Sequence, residues 1–329
     1  MIISRTPFRI SFVGGGSDME TFYSRHQGAV LSTSINKYMY ISSHRYFYKD
    51  QIQVKYSQTE TVSDIDDIKH PLLRESLRKA DIRGGIEISS IADLPSGTGM
   101  GSSSSFTVGL LHNLYAINRK YVTHEQLAAE ACEIEIDIVK EPIGKQDQYA
   151  AAYGGLNIIY FNKNGTVKVE PLYIDNEVYS NLDKNLLMFY IGNQRKASDI
   201  LSEQKKNASQ DDKFQILKQM VGLVFELKDC LYNGELSNFG KLLHENWILK
   251  QKLASRISTS EVERIYEAGI SNGATGGKLL GAGGGGFMLF YCEQDKQSKL
   301  IEALKPLKPY DFSFERDGSK IIYFADEHI

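Results

Sequence analysis

Apolar and polar positions along this chain follow two periods, and the change from one to the other marks its elements. In the first third the period is two. Arg9–Val13, Ala29–Thr33, Met39–His44 and Ile52–Tyr56 read as strands, and Gly-Ile-Glu-Ile-Ser-Ser-Ile (85–91) reads the same way. Elsewhere the period lengthens. Pro71–Lys79 predicts a helix, and Phe106, Leu110, Leu111, Leu114 and Ile117 recur at helical spacing in another. Thr123-His-Glu-Gln126 is a capping box that opens a third helix, expected to run to about Lys140 before Pro142 and Gly144 break it. A short helix over 147–153 and a hairpin across Asn162-Lys-Asn-Gly165 follow.

Pro171 and the polar run Asp175–Asp183 predict a boundary near 170–185, dividing the chain into 1–175 and 176–329. Beyond it, Leu186–Ile191 reads as a strand and Gly192-Asn-Gln-Arg-Lys196 as a polar loop. Two long amphipathic helices come next. Leu217, Met220, Val221, Val224, Leu227 and Leu231 trace one face of the first; the second centres on Leu242–Leu253 and holds the sole tryptophan, Trp247. A helix over about Glu261–Asn272 ends at Gly273, and Phe287–Cys292 reads as a strand. Asp317-Gly318 predicts a hairpin between Phe312–Phe314 and Ile321–Phe324. Strands and helices without regular βαβ alternation predict an α+β fold rather than a doubly wound sheet.

Length and composition narrow the function classes. A chain of 329 residues favours two domains over one. Its net charge of −3 gives no overall attraction to nucleic acid or anionic membrane, so any phosphate binding is local. No stretch approaches the roughly 20 apolar residues of a membrane span, and the opening Met-Ile-Ile-Ser-Arg-Thr-Pro is not a signal peptide. Cys132, Cys230 and Cys292 are widely spaced, which argues against a disulfide framework or metal cluster and for a cytoplasmic protein.

The strongest chemical signal is Leu-Pro-Ser-Gly-Thr-Gly-Met-Gly-Ser-Ser-Ser-Ser (94–105), set between a strand and a helix. Glycines let backbone N–H groups turn inward, and the helix start adds unpaired donors and the positive end of its dipole. Together they make a phosphate cradle suited to a nucleoside triphosphate. It is not a Walker A loop, because Gly277-Lys278 is followed by Leu279. Gly281, Gly283 and Gly286 have Rossmann spacing but precede a strand, and the protein-kinase motifs His-Arg-Asp and Asp-Phe-Gly are absent.

Four charged residues stand out around this loop. On a helical projection Glu135 falls in the apolar arc with Ala128, Ala131, Cys132, Ile138 and Val139, where it needs a metal ion or a basic side chain. Asp147, at the start of the short helix, either caps it or faces a substrate hydroxyl as a base. Arg9 lies in an apolar strand and needs an anionic partner. Asp18 ends Gly14-Gly-Gly-Ser-Asp18, where it either stabilises a turn or holds sugar hydroxyls.

Taken together, these segments resemble the GHMP family of small-molecule kinases. The resemblance rests on Pro7-Phe-Arg-Ile-Ser-Phe-Val-Gly-Gly-Gly-Ser-Asp18, Pro95-Ser-Gly-Thr-Gly-Met-Gly-Ser-Ser-Ser104 and Lys278-Leu-Leu-Gly-Ala-Gly-Gly-Gly-Gly-Phe287, in that order. It implies an N-terminal ATP-binding domain like domain 2 of ribosomal protein S5 and a ferredoxin-like C-terminal domain. It also implies ATP and Mg²⁺, with Pro95, Gly97, Gly99, Met100, Gly101, Ser102, Ser103 and Ser104 around the triphosphate and Ser103 and Glu135 on the metal. Asp147 would take or orient the acceptor's proton and Arg9 would pair with it. Gly15, Gly16, Ser17, Asp18, Gly283, Gly284 and Gly285 would meet the acceptor.

Galactokinases carry Gly-Glu-His-Thr-Asp where this chain has Gly14-Gly-Gly-Ser-Asp18, which opens the sugar pocket and removes a negative charge. Arg195 and Lys196 could then hold a substrate phosphate, or simply be solvated. With Glu141-Pro-Ile-Gly-Lys-Gln-Asp-Gln-Tyr149 and Gln194-Arg-Lys-Ala-Ser198, the opening stretch is similar to bacterial D-glycero-α-D-manno-heptose-7-phosphate kinases. That implies a small-molecule sugar phosphate as acceptor, its anomeric hydroxyl phosphorylated to the 1,7-bisphosphate for surface polysaccharide, by a monomer or homodimer. A kinase of fucose or another free sugar, a non-catalytic sugar sensor and a related decarboxylase are the alternatives.

Overall fold

The computed structural model describes residues 1–192, 197–208, 210–254 and 257–325. One long strand organises its first half. β1 (Ile2–Val13) and β2 (Gly28–Arg45) run antiparallel along most of their lengths. β2 joins the two strands that the sequence pattern separates, because its polar middle is satisfied within the protein. Ser34 is buried, its N–H donating to Gly155 O at 3.0 Å and its hydroxyl to Ala150 O at 3.3 Å. A break in alternation there reflects internal hydrogen bonding rather than a loop.

β2 changes partners along its length. β5 (Ile86–Ala92) pairs with Met39–Arg45, and β6 (Leu156–Phe161) with Gly28–Thr33. β3 (Ile52–Lys55) runs parallel to β5 and antiparallel to β4 (Thr59–Val62), while β7 (Val167–Pro171) pairs with β6 across the Asn162–Gly165 turn. β11 (Phe314–Glu315) joins β2, and β12 (Lys320–Phe324) joins β1. The hairpin predicted at Asp317-Gly318 is therefore not formed. The chain bends at Ser319, but the segments on either side pair with different long strands, and Ser319 N bonds Ala151 O at 3.1 Å. A division at 175/176 leaves these last strands in the second part, whereas the sheet takes them into the first.

The second sheet has the order β8 (Leu186–Gly192), β10 (Gly286–Tyr291), β9 (Gly276–Leu279), all antiparallel. An isolated bridge pairs Phe189 of β8 with Pro309. Counting that bridge as a reduced fourth strand gives the βαββαβ path of a ferredoxin-like unit, with the edge order that fold requires.

The helices fill in around these sheets. α1 (Glu20–Tyr23) is a single turn, and α2 (Pro71–Lys79) spans the residues that the sequence predicts. α3 (Ser102–Ile117) lies against β1 and β2, with α4 (His124–Cys132) and α5 (Gln146–Tyr153) packed on it. Thr123 Oγ1 accepts Gln126 N at 3.1 Å, but the Gln126 side chain reaches forward to Glu130, so only half of the capping box forms. α6 (Asn176–Lys184) occupies the polar run read as a boundary, capped by Asp175. α7 (Ala197–Asn207), α8 (Asp211–Tyr232), α9 (Leu236–Gln251), α10 (Ser260–Ser271) and α11 (Gln294–Ala303) belong to the second half, where α8 and α9 pack together. No described helix is long and apolar enough to cross a membrane.

The helix expected to continue to Lys140 instead changes its winding. After Cys132 it becomes a π-helix over Glu133–Ile138, with Val139 N bonded to Ile134 O at 2.9 Å. Each π residue advances the helix by less than 100°, so Ile138 falls short of the buried face and stays exposed while Glu135 is fully buried.

Candidate active site

The glycine-serine loop has the backbone that its sequence demands. Gly97, Gly99 and Gly101 have φ of +76°, +79° and +78°, a region costly for residues with a Cβ. At Gly99 a Cβ would stand 2.5 Å from Leu280 O and 2.8 Å from Gly281 Cα, so the two glycine runs touch backbone to backbone. Gly101 caps α3, and the Thr98 hydroxyl closes the loop onto Pro95 O at 3.0 Å. Pro95, Gly97, Gly99, Gly101, Ser102 and Ser103 line a cavity of about 850 Å³. Met100 is buried behind it, its carbonyl accepting Arg9 N at 3.2 Å.

Arg9 meets Asp147 in a two-point fork on the wall of this cavity. Its Nε and Nη2 donate to Oδ1 and Oδ2, both at 2.8 Å, while Nη1 donates to Gly99 O at 2.7 Å. Arg9 comes from β1 and Asp147 from the first turn of α5, where the helix dipole favours a carboxylate. The guanidinium is almost wholly buried and the carboxylate is a quarter exposed, so Asp147 keeps a face toward the cavity.

Glu135 stands behind the loop rather than on the cavity wall. It accepts Ser104 Oγ at 2.7 Å, Thr107 Oγ1 at 3.2 Å and Gln148 Nε2. None of these partners is charged. Burial first, and then the charge of Asp147, push its carboxyl up to about 7 against those hydrogen bonds. Gln148 Oε1, beside it, is buried without a partner. Ser103, expected to share a metal with Glu135, is exposed on the cavity side; the serine in contact with Glu135 is Ser104. A carboxylate, an unpaired amide oxygen and neighbouring serine hydroxyls are hard oxygen donors and fit Mg²⁺.

The other end of the cavity is built around Asp18. Its carboxylate accepts Gly16 N at 3.0 Å and Gln146 N at 3.3 Å, and a Cβ on Gly144 would fall 2.0 Å from Oδ2. Burial, then Asp147, raise its pKa. Gly15, Gly16 and Asp18 line the cavity, but Ser17 does not. The Ser17 hydroxyl is spent on Gly14 O at 2.8 Å and Ala29 O at 3.0 Å. Gly283, Gly284 and Gly285 also lie off the wall. Gly284 N bonds Ile257 O at 3.1 Å, and it is Gly281 and Ala282 that reach the cavity. Arg195 and Lys196 lie outside the described residues.

Two family models match this chain: the N-terminal domain of the GHMP kinases over residues 69–155, and their C-terminal domain over 227–308. Together they cover just over half of it. The chain belongs to the GHMP kinase family. GHMP kinases use ATP as phosphoryl donor, and this chain is an ATP-dependent kinase. It is 29% identical to the D-glycero-alpha-D-manno-heptose 7-phosphate kinase of Campylobacter jejuni, over 97% of this chain and 98% of that one. It is 26% identical to the galactokinase of Pyrococcus furiosus, over 92% of each. Among solved structures, a D-glycero-D-manno-heptose 1-phosphate kinase from Bacteroides thetaiotaomicron superimposes with a TM-score of 0.81 over 99% of this chain and 100% of that one, at 22% identity.

Two further cations of this GHMP kinase face the cavity. Lys250 of α9 and Lys278 of β9 are buried on the cavity wall. Lys278 Nζ donates to Ser11 O at 2.5 Å and Phe12 O at 2.8 Å, and Lys250 Nζ donates to Gly281 O. Burial, then repulsion from Arg9, lower Lys250 to about 8, while Asp18 and Asp147 oppose the shift. Lys278 is lowered further by burial, then by Lys250 and Arg9. A signal for Lys250 existed: Phe239, Leu243, Asn246 and Lys250 recur at helical spacing, and all are buried. The cavity also has an apolar arm of Met39, Tyr56, His70, Leu72, Leu94 and Phe106, which strand and helix periodicity reads only as core.

Proposed function

We propose that the chain transfers the γ-phosphoryl group of ATP to the anomeric hydroxyl of D-glycero-α-D-manno-heptose 7-phosphate, giving the 1,7-bisphosphate. The observation that carries this reading is the Arg9–Asp147 fork set between a positive-φ glycine loop and the Asp18 end of one cavity. The full-length likeness to the Campylobacter jejuni kinase supports the choice of sugar. The bare Gly15 and Gly16 leave room for a large acceptor beside Asp18.

In this reading Pro95–Ser104 embraces the triphosphate and Asp18 holds acceptor hydroxyls. Arg9 fixes Asp147 through both carboxylate oxygens, so the free face of that carboxylate accepts the proton of the attacking hydroxyl or orients it. The acceptor oxygen forms its bond to phosphorus as the bond to ADP breaks, and the proton passes to Asp147 or to solvent. Arg9 and Lys250 stabilise charge on the transferring group and on the acceptor's phosphate. Glu135, with Ser104 in contact and Ser103 on the cavity side, would hold Mg²⁺, which would supply charge neutralisation on the phosphates. The three cysteines are buried and free, which suits the reducing cytoplasm.

The test is ADP release with MgATP against heptose 7-phosphate, mannose 6-phosphate, fucose and galactose. Saturable turnover confined to heptose 7-phosphate is expected. Turnover on a free sugar alone would keep the kinase and reject the heptose.

A further inference from the structure

Three buried polar atoms belonging to residues on the cavity wall have no hydrogen-bond partner in the protein: Ser11 Oγ, Gln146 Oε1 and Gln204 Nε2. The other unpaired buried atoms among the described residues belong to residues off this wall. Ser11 and Gln204 are each 7% exposed, so bulk water does not satisfy them. A protein leaves a buried donor or acceptor empty at a cost to its own stability, and wall residues that carry such atoms gain partners when their side chains turn toward a ligand in the cavity.

Their chemistry is complementary rather than repetitive. Gln204 offers an amide N–H, Gln146 an amide oxygen, and Ser11 a hydroxyl that does both. Ser11 and Gln146 flank Gly15 beside Asp18, and Gln204 lines the same cavity. A Cβ built on Gly15 would lie 3.8 Å from Ser11 Oγ and 4.0 Å from Gln146 Nε2, so the bare glycine leaves the space between them free. Lys278 fixes the backbone on one side by donating to Ser11 O at 2.5 Å, and Asp18 fixes the other by accepting Gln146 N at 3.3 Å. Gln204 arrives from the second half of the chain, one turn after Leu201 on α7, which also lines the cavity.

We propose that Ser11, Gln146 and Gln204 form a set that reads the non-reacting hydroxyls of a polyhydroxylated acceptor, with Gln204 the residue through which the second half of the chain sets acceptor selectivity. The set rests on the assignment of this end of the cavity to the acceptor. A donor, an acceptor and a dual group match the alternating needs of vicinal hydroxyls, which an apolar or purely anionic ligand would leave unpaired.

The test uses the full chain with Gln204→Met, Gln146→Met and Ser11→Ala, with KM for heptose 7-phosphate, KM for ATP and kcat measured separately. Gln204→Met is expected to raise the acceptor KM about tenfold while leaving the ATP KM within about twofold. Its melting temperature without ligand should stay level or rise, since an unpaired polar group leaves the interior; a merely structural glutamine would lower it. A deoxy acceptor lacking the hydroxyl that Gln204 reads should show the same KM with wild type and variant. Wild-type turnover with acceptor KM unchanged in all three variants would overturn the set alone. A wild type that phosphorylates no sugar would overturn the acceptor assignment and the set together.

Discussion

Asp147 is held by both oxygens to one guanidinium, and the orientation this gives is what its proposed role requires. A carboxylate pinned in this way spends no entropy in finding the reacting hydroxyl. Asp147→Asn keeps the shape but weakens the fork and removes the charge, so kcat should fall about 10²–10⁴-fold with the ATP KM little changed, as steady-state kinetics would show. Lys250 makes a second prediction, through its lowered pKa of about 8. It is charged below that value, so kcat/KM for the acceptor should decline as pH rises through about 8, and Lys250→Met should be slow and lack that limb. Stability moves the opposite way. The unfolded lysine keeps its proton up to its ordinary pKa near 10.4, so between about 8 and 10 the unfolded state binds more protons and the folded state gains stability with rising pH. Lys250→Met should lose that slope in melting curves and melt no lower at pH 7. Arg9, Glu135 and Asp147 were legible because each is a charge that breaks an apolar period or follows a helix breaker. Ser17 misled because its hydroxyl points at Gly14 O and Ala29 O, a choice the chain makes only when β2 is in place.

At the scale of elements, the cavity depends on backbone contact between two glycine runs far apart in sequence. Gly99→Ala would drive a Cβ into Leu280 O and Gly281 at a positive φ, with backbone on the other side that has no side chain to move. The expected cost is about 1–3 kcal/mol in denaturant unfolding, with a larger loss of ATP affinity by calorimetry. Gly97→Ala, whose Cβ meets nothing within 4 Å, faces only the φ penalty and should be milder. α2, α3 and the 162–165 turn were readable because local signals agree with tertiary packing there. The π-turn at 133–138 was not, because a projection at 100° per residue assumes the winding that it tests. The continuity of β2 was hidden by Ser34 and Asn36, whose polar groups find partners only in the folded sheet. α6 and α7 were missed because both are dominated by polar residues and bury little.

At the scale of the molecule, the two halves are stitched together at the site itself. Lys278 donates across to β1, and Gly14 N donates to Asn246 Oδ1 of α9 at 3.1 Å. The last strands return to the first sheet, where β12 pairs with the strand carrying Arg9 and Ser319 Oγ meets Thr6 Oγ1 at 2.8 Å. Deleting residues 319–329 should therefore lower the melting temperature and reduce kcat, although the segment is remote from the cavity lining. No local pattern announces such a return, since the Asp317-Gly318 pair reads the same whether the segments on either side pair with each other or with two other strands. The central claim is phosphoryl transfer at the Asp147 end of this cavity to the anomeric oxygen, and ³¹P NMR of the product tests it most directly. Wild-type enzyme with MgATP and heptose 7-phosphate should give a new phosphate resonance coupled to the anomeric proton, absent with Asp147→Asn. A new phosphate resonance coupled to the proton of any carbon but the anomeric one, beyond the 7-phosphate that the acceptor already carries, or an undiminished signal with Asp147→Asn, would contradict the account.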